Sequence, residues 1–98
     1  MKEITAKELE KKLVNGEPLH IIDVREDEEV TQGVIPGAKH IPLGELDERL
    51  SEIDKKETYY IVCRSGGRSS AACTFLDEHG FQVINMVGGM LAWEGDIH

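Results

Sequence analysis

The chain has 98 residues, of which 40% are hydrophobic and 31% are charged, and its formal net charge is −8 at pH 7. This length suits one compact domain spanning residues 1–98. The acidic balance argues against nucleic-acid binding, which needs clustered lysine and arginine, and disfavours anionic membrane surfaces. No stretch approaches the roughly 20 apolar residues of a membrane span, and the N-terminus has no hydrophobic signal region, so we expect a cytoplasmic protein.

The first third of the chain alternates helix-like and strand-like segments. Thr5 and Glu8 have the spacing of a capping box, which predicts a helix that ends near residues 15–16. The apolar run at residues 19–24 predicts a buried strand. The acidic run at residues 27–32 predicts a short helix, and the acidic side chains from Glu26 to Glu29 are interpreted as a solvated face.

The middle of the chain contains a turn signal at residues 35–38, followed by a brief extended segment at 40–42. Four apolar residues then recur at helical spacing and predict a further helix. They are Leu43, Leu46, Leu50 and Ile53.

The last third begins with residues 58–62, whose aromatic and β-branched side chains predict a strand. A helix is expected over 69–79, a strand over 83–87 and a final short segment over 90–93. Strands that alternate with helices predict an α/β domain with a largely parallel central sheet flanked by helices in three layers. Ligands of such sheets bind beyond the carboxyl ends of the strands.

The most informative segment joins the strand at 58–62 to the helix that follows it. It contains Cys63, a loop with two glycines, and two arginines, Arg64 and Arg68. Glycines allow successive backbone N–H groups to turn inward and bind an anion, and the helix directs its N-terminal donors to the same place. A thiol in this setting is expected to ionise near neutral pH and to act as a nucleophile.

The second cysteine and the histidines do not suggest a metal site. Cys63 and Cys73 are expected to be reduced, and Cys73 is interpreted as a small core residue rather than a redox partner. The histidines are scattered at no spacing typical of metal ligands, so neither a metal nor a cofactor is predicted. They are His20, His40, His79 and His98.

Four segments, in this order, carry a family resemblance. Residues 23–26 are Asp-Val-Arg-Glu, residues 33–43 are Gly-Val-Ile-Pro-Gly-Ala-Lys-His-Ile-Pro-Leu, residues 63–69 are Cys-Arg-Ser-Gly-Gly-Arg-Ser, and residues 88–93 are Gly-Gly-Met-Leu-Ala-Trp. Together they resemble the motifs of the single-domain rhodaneses, which are sulfurtransferases. Val34 and His40 depart from the family's usual histidine and asparagine, but both lie outside the cysteine loop.

The resemblance implies a sulfurtransferase that moves a sulfane sulfur from thiosulfate or a similar anion to a thiol, cyanide or protein acceptor, through a persulfide on Cys63. Arg68 is expected to hold the anionic donor, and Arg64 to guide it from solvent. The remaining predicted binding residues are Ser65, Gly66, Gly67 and Ser69, of which Ser69 is expected mainly to cap the helix. We expect the protein to act as a monomer.

Three further interpretations accompany this assignment. Asp23 and Arg25 are expected to form a structural ion pair that fixes the loops, and Trp93 to anchor the core or a lid. A cysteine phosphatase or arsenate reductase is a weaker alternative, because those enzymes separate cysteine and arginine by five residues and here only four lie between Cys63 and Arg68. A sulfur carrier that delivers persulfide to a partner protein stays open, since it needs the same loop.

Overall fold

The computed structural model describes all 98 residues and alternates strands with helices. The five strands are β1 (Lys2–Thr5), β2 (His20–Asp23), β3 (Lys39–His40), β4 (Thr58–Val62) and β5 (Gln82–Val87). The three α-helices are α1 (Ala6–Val14), α2 (Asp27–Val30) and α3 (Gly67–Glu78). Three 3₁₀ segments span Leu43–Glu45, Asp47–Glu52 and Gly89–Ala92.

The five strands form one sheet in the order β1-β5-β4-β2-β3, and every neighbouring pair is parallel. Parallel strands need crossover connections, which here place helices on both faces of the sheet. This arrangement confirms the predicted three-layer α/β domain. The central position of β4 puts the residue that follows it, Cys63, in the middle of the carboxyl edge.

Alternation along β4 divides its side chains between two buried clusters. Ile61 and Cys63 belong to a cluster of twelve buried residues on the face covered by α3 and the two 3₁₀ segments between Leu43 and Glu52. Val62 belongs to a cluster of seven on the opposite face, which includes Leu9 of α1 and is joined by Trp93 at its margin. A strand buried on both faces is the expected position for a continuous apolar run.

The capping box that predicts α1 is confirmed in both directions. The Glu8 N–H donates to Thr5 Oγ1 at 3.1 Å, and the Thr5 N–H donates to Glu8 Oε1 at 3.0 Å. The helix ends at Val14, and Gly16 adopts a left-handed φ of +76°. Local capping and turn chemistry therefore determine both ends of this element, as the sequence predicts.

The further helix predicted over residues 43–53 forms, but as 3₁₀ helix and in two pieces rather than one. Arg49 inside the second piece has a non-helical φ of −115°. Leu43 and Leu46 are three residues apart, as are Leu50 and Ile53, and this spacing suits the three residues per turn of a 3₁₀ helix.

Two further differences concern strand β1 and the start of helix α3. Strand β1 is absent from the predicted elements, because Ile4 is the one apolar residue that it buries and its pairing with β5 is entirely non-local. Helix α3 begins at Gly67 rather than Ser69, because Gly66 takes the cap position in a left-handed conformation. Arg68 and Ser69 therefore lie inside the first turn of the helix.

None of the helices combines the length and the apolarity needed to cross a membrane. The cytoplasmic location stays a prediction.

Candidate active site

Cys63 lies at the carboxyl end of β4 and is only 1% exposed, yet its sulfur atom faces polar groups. The N–H of Gly66 donates to Cys63 Sγ at 3.0 Å. This contact requires a tight loop, and Gly66 closes it at φ +106°, a conformation that residues with a Cβ rarely adopt. The predicted inward-turned amide is therefore present.

Further donors surround the same sulfur. Ser69 Oγ lies 3.3 Å from Cys63 Sγ, and the backbone N–H groups of Ser69, Gly66 and Ser65 also favour the ionised sulfur. Burial by itself raises the pKa of Cys63, but the hydrogen bonds from these donors outweigh it and bring the pKa below its ordinary value. The site is thus built to stabilise a thiolate, the reactive form of cysteine.

The carbonyl groups of the loop are held from the opposite side by the C-terminal 3₁₀ segment. The N–H of Met90 donates to the Cys63 carbonyl at 2.8 Å, and the N–H of Leu91 donates to the Arg64 carbonyl at 3.0 Å. Because these carbonyls are engaged there, the peptide groups keep their orientation and the following N–H groups stay available to Sγ. The segment that starts at Gly89 is therefore part of the site's scaffold.

Gly89 makes this contact possible. Its φ is +56°, and a Cβ at this position would lie 2.4 Å from the carbonyl carbon and oxygen of Arg64. The sequence predicts Gly88 and Gly89 only as a turn, so their role beneath the cysteine loop was missed. The available signal was the pair of adjacent glycines, which often marks a close approach of two backbone segments.

Arg68 lies in the first turn of α3, but its guanidinium points to α2. Its two terminal nitrogens donate to the Glu29 carboxylate at 2.6 and 2.7 Å. Hydrogen bonds from Arg68 lower the pKa of Glu29 to about 2. Glu29 is thus an exception to the predicted solvated acidic face, while the expected role of Arg68 in holding an anion stays a prediction.

Arg64 is exposed and forms no ion pair. It lines a cavity of about 420 Å³ beside the loop, together with Arg25, Leu91 and Trp93. An unpaired guanidinium that lines such a cavity can attract an anion despite the acidic net charge, because distant surface charges are screened by salt. The guiding role of Arg64 stays a prediction, and this placement is compatible with it.

The predicted structural ion pair between Asp23 and Arg25 is confirmed. Arg25 Nη2 lies 2.7 Å from Asp23 Oδ2, both side chains are buried, and Arg25 also donates to the Gly33 carbonyl at 2.8 Å. This network joins the end of β2 to the residues before β3. It therefore fixes the loops beside the site.

Ser69 does not cap α3, contrary to its expected role. The helix starts two residues earlier, and Ser69 Oγ instead faces Cys63 Sγ, the Gly66 carbonyl and Asn85 Oδ1. Asn85 belongs to β5 and is buried, at 3% exposure. Sequence reasoning missed Asn85, although a lone polar amide inside the apolar strand 83–87 was a usable signal, since buried polar groups need partners.

Comparison with known proteins agrees with this geometry. The family model described as the rhodanese-like domain matches residues 5–96. The chain belongs to the rhodanese-like family.

Relatives of this rhodanese-like domain extend the comparison. YtwF of Bacillus subtilis, provisionally named a sulfurtransferase, is 49% identical over 98% of this chain and 93% of its own length. YrkF of the same organism, provisionally named a sulfur carrier protein, is 44% identical over 95% of this chain but only 51% of its own length. A crystal structure of a rhodanese-like domain protein from Staphylococcus aureus has a TM-score of 0.95 and 42% identity, and covers 100% of this chain and 97% of its own.

Cys73 of this rhodanese-like domain is a core residue, as predicted. It is 1% exposed within α3 and belongs to the same buried cluster as Cys63. Burial raises the pKa of Cys73 to about 12. It is therefore a protonated thiol at neutral pH, unsuited to nucleophilic attack.

Proposed function

We propose that this rhodanese-like domain is a sulfurtransferase that takes a sulfane sulfur from thiosulfate, or a similar anionic donor, and carries it as a persulfide on Cys63. The observation that supports this proposal most directly is the set of donors around Cys63 Sγ, with the Gly66 N–H at 3.0 Å and the Ser69 hydroxyl at 3.3 Å. These donors favour a negative charge on sulfur both before and after it gains a second sulfur atom.

In the first step the Cys63 thiolate attacks the outer sulfur of the donor. A new S–S bond forms to Cys63, the S–S bond of thiosulfate breaks, and its electron pair leaves with sulfite. The thiolate is already present, so no neighbouring general base is needed. The loop contains none, which fits this chemistry.

In the second step a nucleophilic acceptor, such as cyanide or a thiolate, attacks the outer sulfur of the persulfide. The S–S bond to Cys63 breaks, and the cysteine leaves as a thiolate that the loop amides again stabilise. In this proposal Arg64 guides the donor and Arg68 adds positive charge near the sulfur. The amide cradle is formed by Ser65, Gly66, Gly67 and Ser69.

Intact-mass spectrometry after incubation with thiosulfate tests the proposal. We expect a gain of about 32 Da, the mass of one sulfur atom, that maps to Cys63 and disappears when cyanide is added. Cys63→Ser should abolish both the gain and the turnover, while the control Cys73→Ala should retain them. No gain, or a gain that maps to Cys73, would contradict the proposal.

A second candidate function is that of a sulfur carrier that passes its persulfide to a partner protein. The observation that favours it is the similarity to YrkF, which is provisionally named a sulfur carrier protein and of which this chain spans about half. Steady-state kinetics separate the two functions. Fast transfer from the loaded protein to a small thiol supports the free enzyme, whereas a stable persulfide that small thiols remove slowly supports the carrier.

A further inference from the structure

Ser69 stands between three acceptors but has one hydroxyl hydrogen to donate. Its Oγ lies 3.3 Å from Cys63 Sγ and 3.1 Å from the Gly66 carbonyl oxygen, and it also contacts Asn85 Oδ1. A serine hydroxyl donates one hydrogen bond and accepts up to two. The hydroxyl hydrogen of Ser69 must therefore turn to a different acceptor when one of these neighbours gains or loses a hydrogen.

With Cys63 as a neutral thiol, the contacts form a chain that runs in one direction. The Cys63 S–H donates to Ser69 Oγ, and the Ser69 O–H donates to Asn85 Oδ1. The other end of the same amide, Asn85 Nδ2, lies 3.5 Å from the Gly66 carbonyl oxygen. Every buried polar side-chain atom has a partner in this arrangement.

Ionisation of Cys63 reverses the direction of the chain. The thiolate has no hydrogen, so Ser69 Oγ would direct a lone pair at a negative sulfur unless it turns its hydrogen onto Sγ. Once it does so, Ser69 Oγ and Asn85 Oδ1 are in contact with no hydrogen between them. Two buried oxygen acceptors in this position repel each other, and each lacks a donor.

Rotation of the Asn85 amide by half a turn removes this conflict, because it brings Nδ2, a donor, against Ser69 Oγ. The rotation gives up the long contact from Nδ2 to the Gly66 carbonyl and turns Oδ1 towards that carbonyl oxygen, at the 3.5 Å that Nδ2 had. That carbonyl keeps a helical hydrogen bond from the Ser70 N–H at 3.1 Å. The rotation therefore replaces the close contact between Ser69 Oγ and Asn85 Oδ1 with a longer one between Oδ1 and the Gly66 carbonyl oxygen. Ser69 also gains a donor that strengthens its own bond to sulfur.

We propose that Asn85 is a positioning residue of the sulfur-transfer site, whose side-chain amide rotates when Cys63 ionises and thereby holds the Ser69 hydroxyl as a donor to Sγ. The inference rests on the proposed function in one respect, namely that Cys63 works as a thiolate. Asn85 acts through Ser69.

Other charged and titratable groups near the sulfur do not take part in this chain. Arg68 of α3 is bound to Glu29, Arg64 is exposed, and Cys73 of α3 is a protonated thiol at neutral pH. On the neighbouring strands, the buried Asp23 of β2 is paired with Arg25, and Glu3 of β1, in register with Asn85, is exposed. Asn85 itself carries no charge, so its replacement changes hydrogen bonding rather than the local field.

The pH dependence of Cys63 alkylation by iodoacetamide, measured in a Cys73→Ala background, tests the proposal. Asn85→Leu should raise the pKa of Cys63 by about half to one unit, because the thiolate loses one neutral hydrogen bond in its supporting chain. The matched control Gln82→Leu removes an exposed amide from the same strand and should leave the pKa unchanged. An unchanged or lowered pKa in Asn85→Leu would overturn the proposal.

A double-mutant cycle shows whether Asn85 acts through Ser69. In a Ser69→Ala background, Asn85→Leu should leave the pKa of Cys63 where Ser69→Ala alone places it. A further shift of the same size in that background would mean that Asn85 affects Cys63 by another route, and would contradict the relay. The alkylation needs no sulfur donor, so its outcome is independent of whether thiosulfate loads Cys63.

Should Asn85→Leu fail to fold, NMR of the protein with Asn85 intact provides the same decision. The side-chain amide resonances of Asn85 should shift with the same pKa as Cys63, and one amide proton should move downfield as it gains the bond to Ser69. Resonances that stay constant through the titration of Cys63 would overturn the proposed rotation.

Discussion

The two cysteines of this domain have the same exposure, but their pKa values are shifted in opposite directions. Cys63 and Cys73 are each 1% exposed and belong to the same buried cluster beside α3. The pKa of Cys63 is lowered, because hydrogen bonds outweigh its burial, whereas burial raises the pKa of Cys73 to about 12. Burial therefore does not decide whether a thiol reacts in this protein; the supply of hydrogen-bond donors does.

The difference follows from what the neighbouring backbone does with its N–H groups. Cys73 lies in the second turn of α3, where the amides bond to helical carbonyls and the nearby Asp77 disfavours a second negative charge. Cys63 precedes the helix, where the first N–H groups of the helix and the loop have no helical partner. A position ten residues earlier in the chain thus changes an inert core thiol into a candidate nucleophile.

The largest expected effect is the selectivity of alkylation between the two thiols. At pH 7.5, iodoacetamide should modify Cys63 faster than Cys73 by orders of magnitude, because only the thiolate reacts and hydrogen bonds lower the pKa of Cys63 while burial raises that of Cys73 to about 12. Peptide mapping of the folded protein over time measures both rates. Equal alkylation rates for the two cysteines in the folded protein would contradict the comparison. In the control, the urea-unfolded chain, the two cysteines should react at equal rates.

The second-largest effect concerns the backbone segment starting at Gly89, which supports the loop of Cys63 and has no counterpart at Cys73. Gly89→Ala places a methyl group against the Arg64 carbonyl at a left-handed φ, so we expect a loss of at least about 2 kcal/mol of stability and about 100-fold in sulfur transfer. Thermal unfolding and thiosulfate turnover measure the two losses. Gly44→Ala is the matched control, because a Cβ there meets nothing within 4 Å, and a similar loss in it would contradict this account.

A smaller effect isolates a single donor to the reactive sulfur. Ser69→Ala should raise the pKa of Cys63 by about one to two units, the value of a hydrogen bond to a charged acceptor, while the pKa of Cys73 stays high. The absorbance of the thiolate near 240 nm, followed against pH, measures this shift. A pKa that does not move would mean that the backbone amides alone ionise Cys63.

The smallest effect concerns the ion pair between Arg68 and Glu29, which holds a positive charge near Cys63 and has no counterpart near Cys73. The pKa of Glu29 is about 2 when folded, against an ordinary value of 4.5. Its contribution to stability is therefore present above about pH 4.5 and is lost as the pH falls towards 2. Glu29→Gln should lower the free energy of unfolding by about 0.5–1 kcal/mol at pH 7, because the pair is partly exposed.

Urea unfolding at several pH values measures this contribution. The difference in the free energy of unfolding between Glu29→Gln and the unaltered protein should shrink towards zero near pH 2, and a constant difference would contradict the assigned pKa.

The same variant frees Arg68 from its ion pair, so it should keep or improve the affinity for the sulfur donor, whereas Arg68→Ala should weaken it. Unchanged donor affinity in Arg68→Ala would remove the anion-holding role.

Much of the local structure could be predicted because its causes are local. The capping box at Thr5 determines the start of α1, and the β-branched and aromatic run at 58–62 determines β4 with both bounds correct. The loop that follows, with its two glycines and its cysteine after a strand, predicted the amide that meets Cys63 Sγ. In each case a few consecutive residues contain the whole physical reason.

The predictions that failed or were incomplete concern structural features that are determined by contacts with residues distant in the sequence. Strand β1 exists because β5 offers it a free edge, and the spacing of Leu43 to Ile53 allows either helix type until packing selects one. Ser69 was expected to cap α3, but its hydroxyl faces Asn85, sixteen positions later, once the sheet brings β5 beside the loop.

The sequence by itself determined that this domain is α/β, that its strands lie parallel and that Cys63 ends one of them within a glycine-rich, basic loop. Local propensity, periodicity and turn chemistry act over a few residues, so they are visible in one dimension. Only the tertiary structure decided that Gly89 passes beneath the loop, that Glu29 binds Arg68 and that Asn85 contacts Ser69. Each of those contacts joins residues between 16 and 39 positions apart, and only the folded chain brings such residues together.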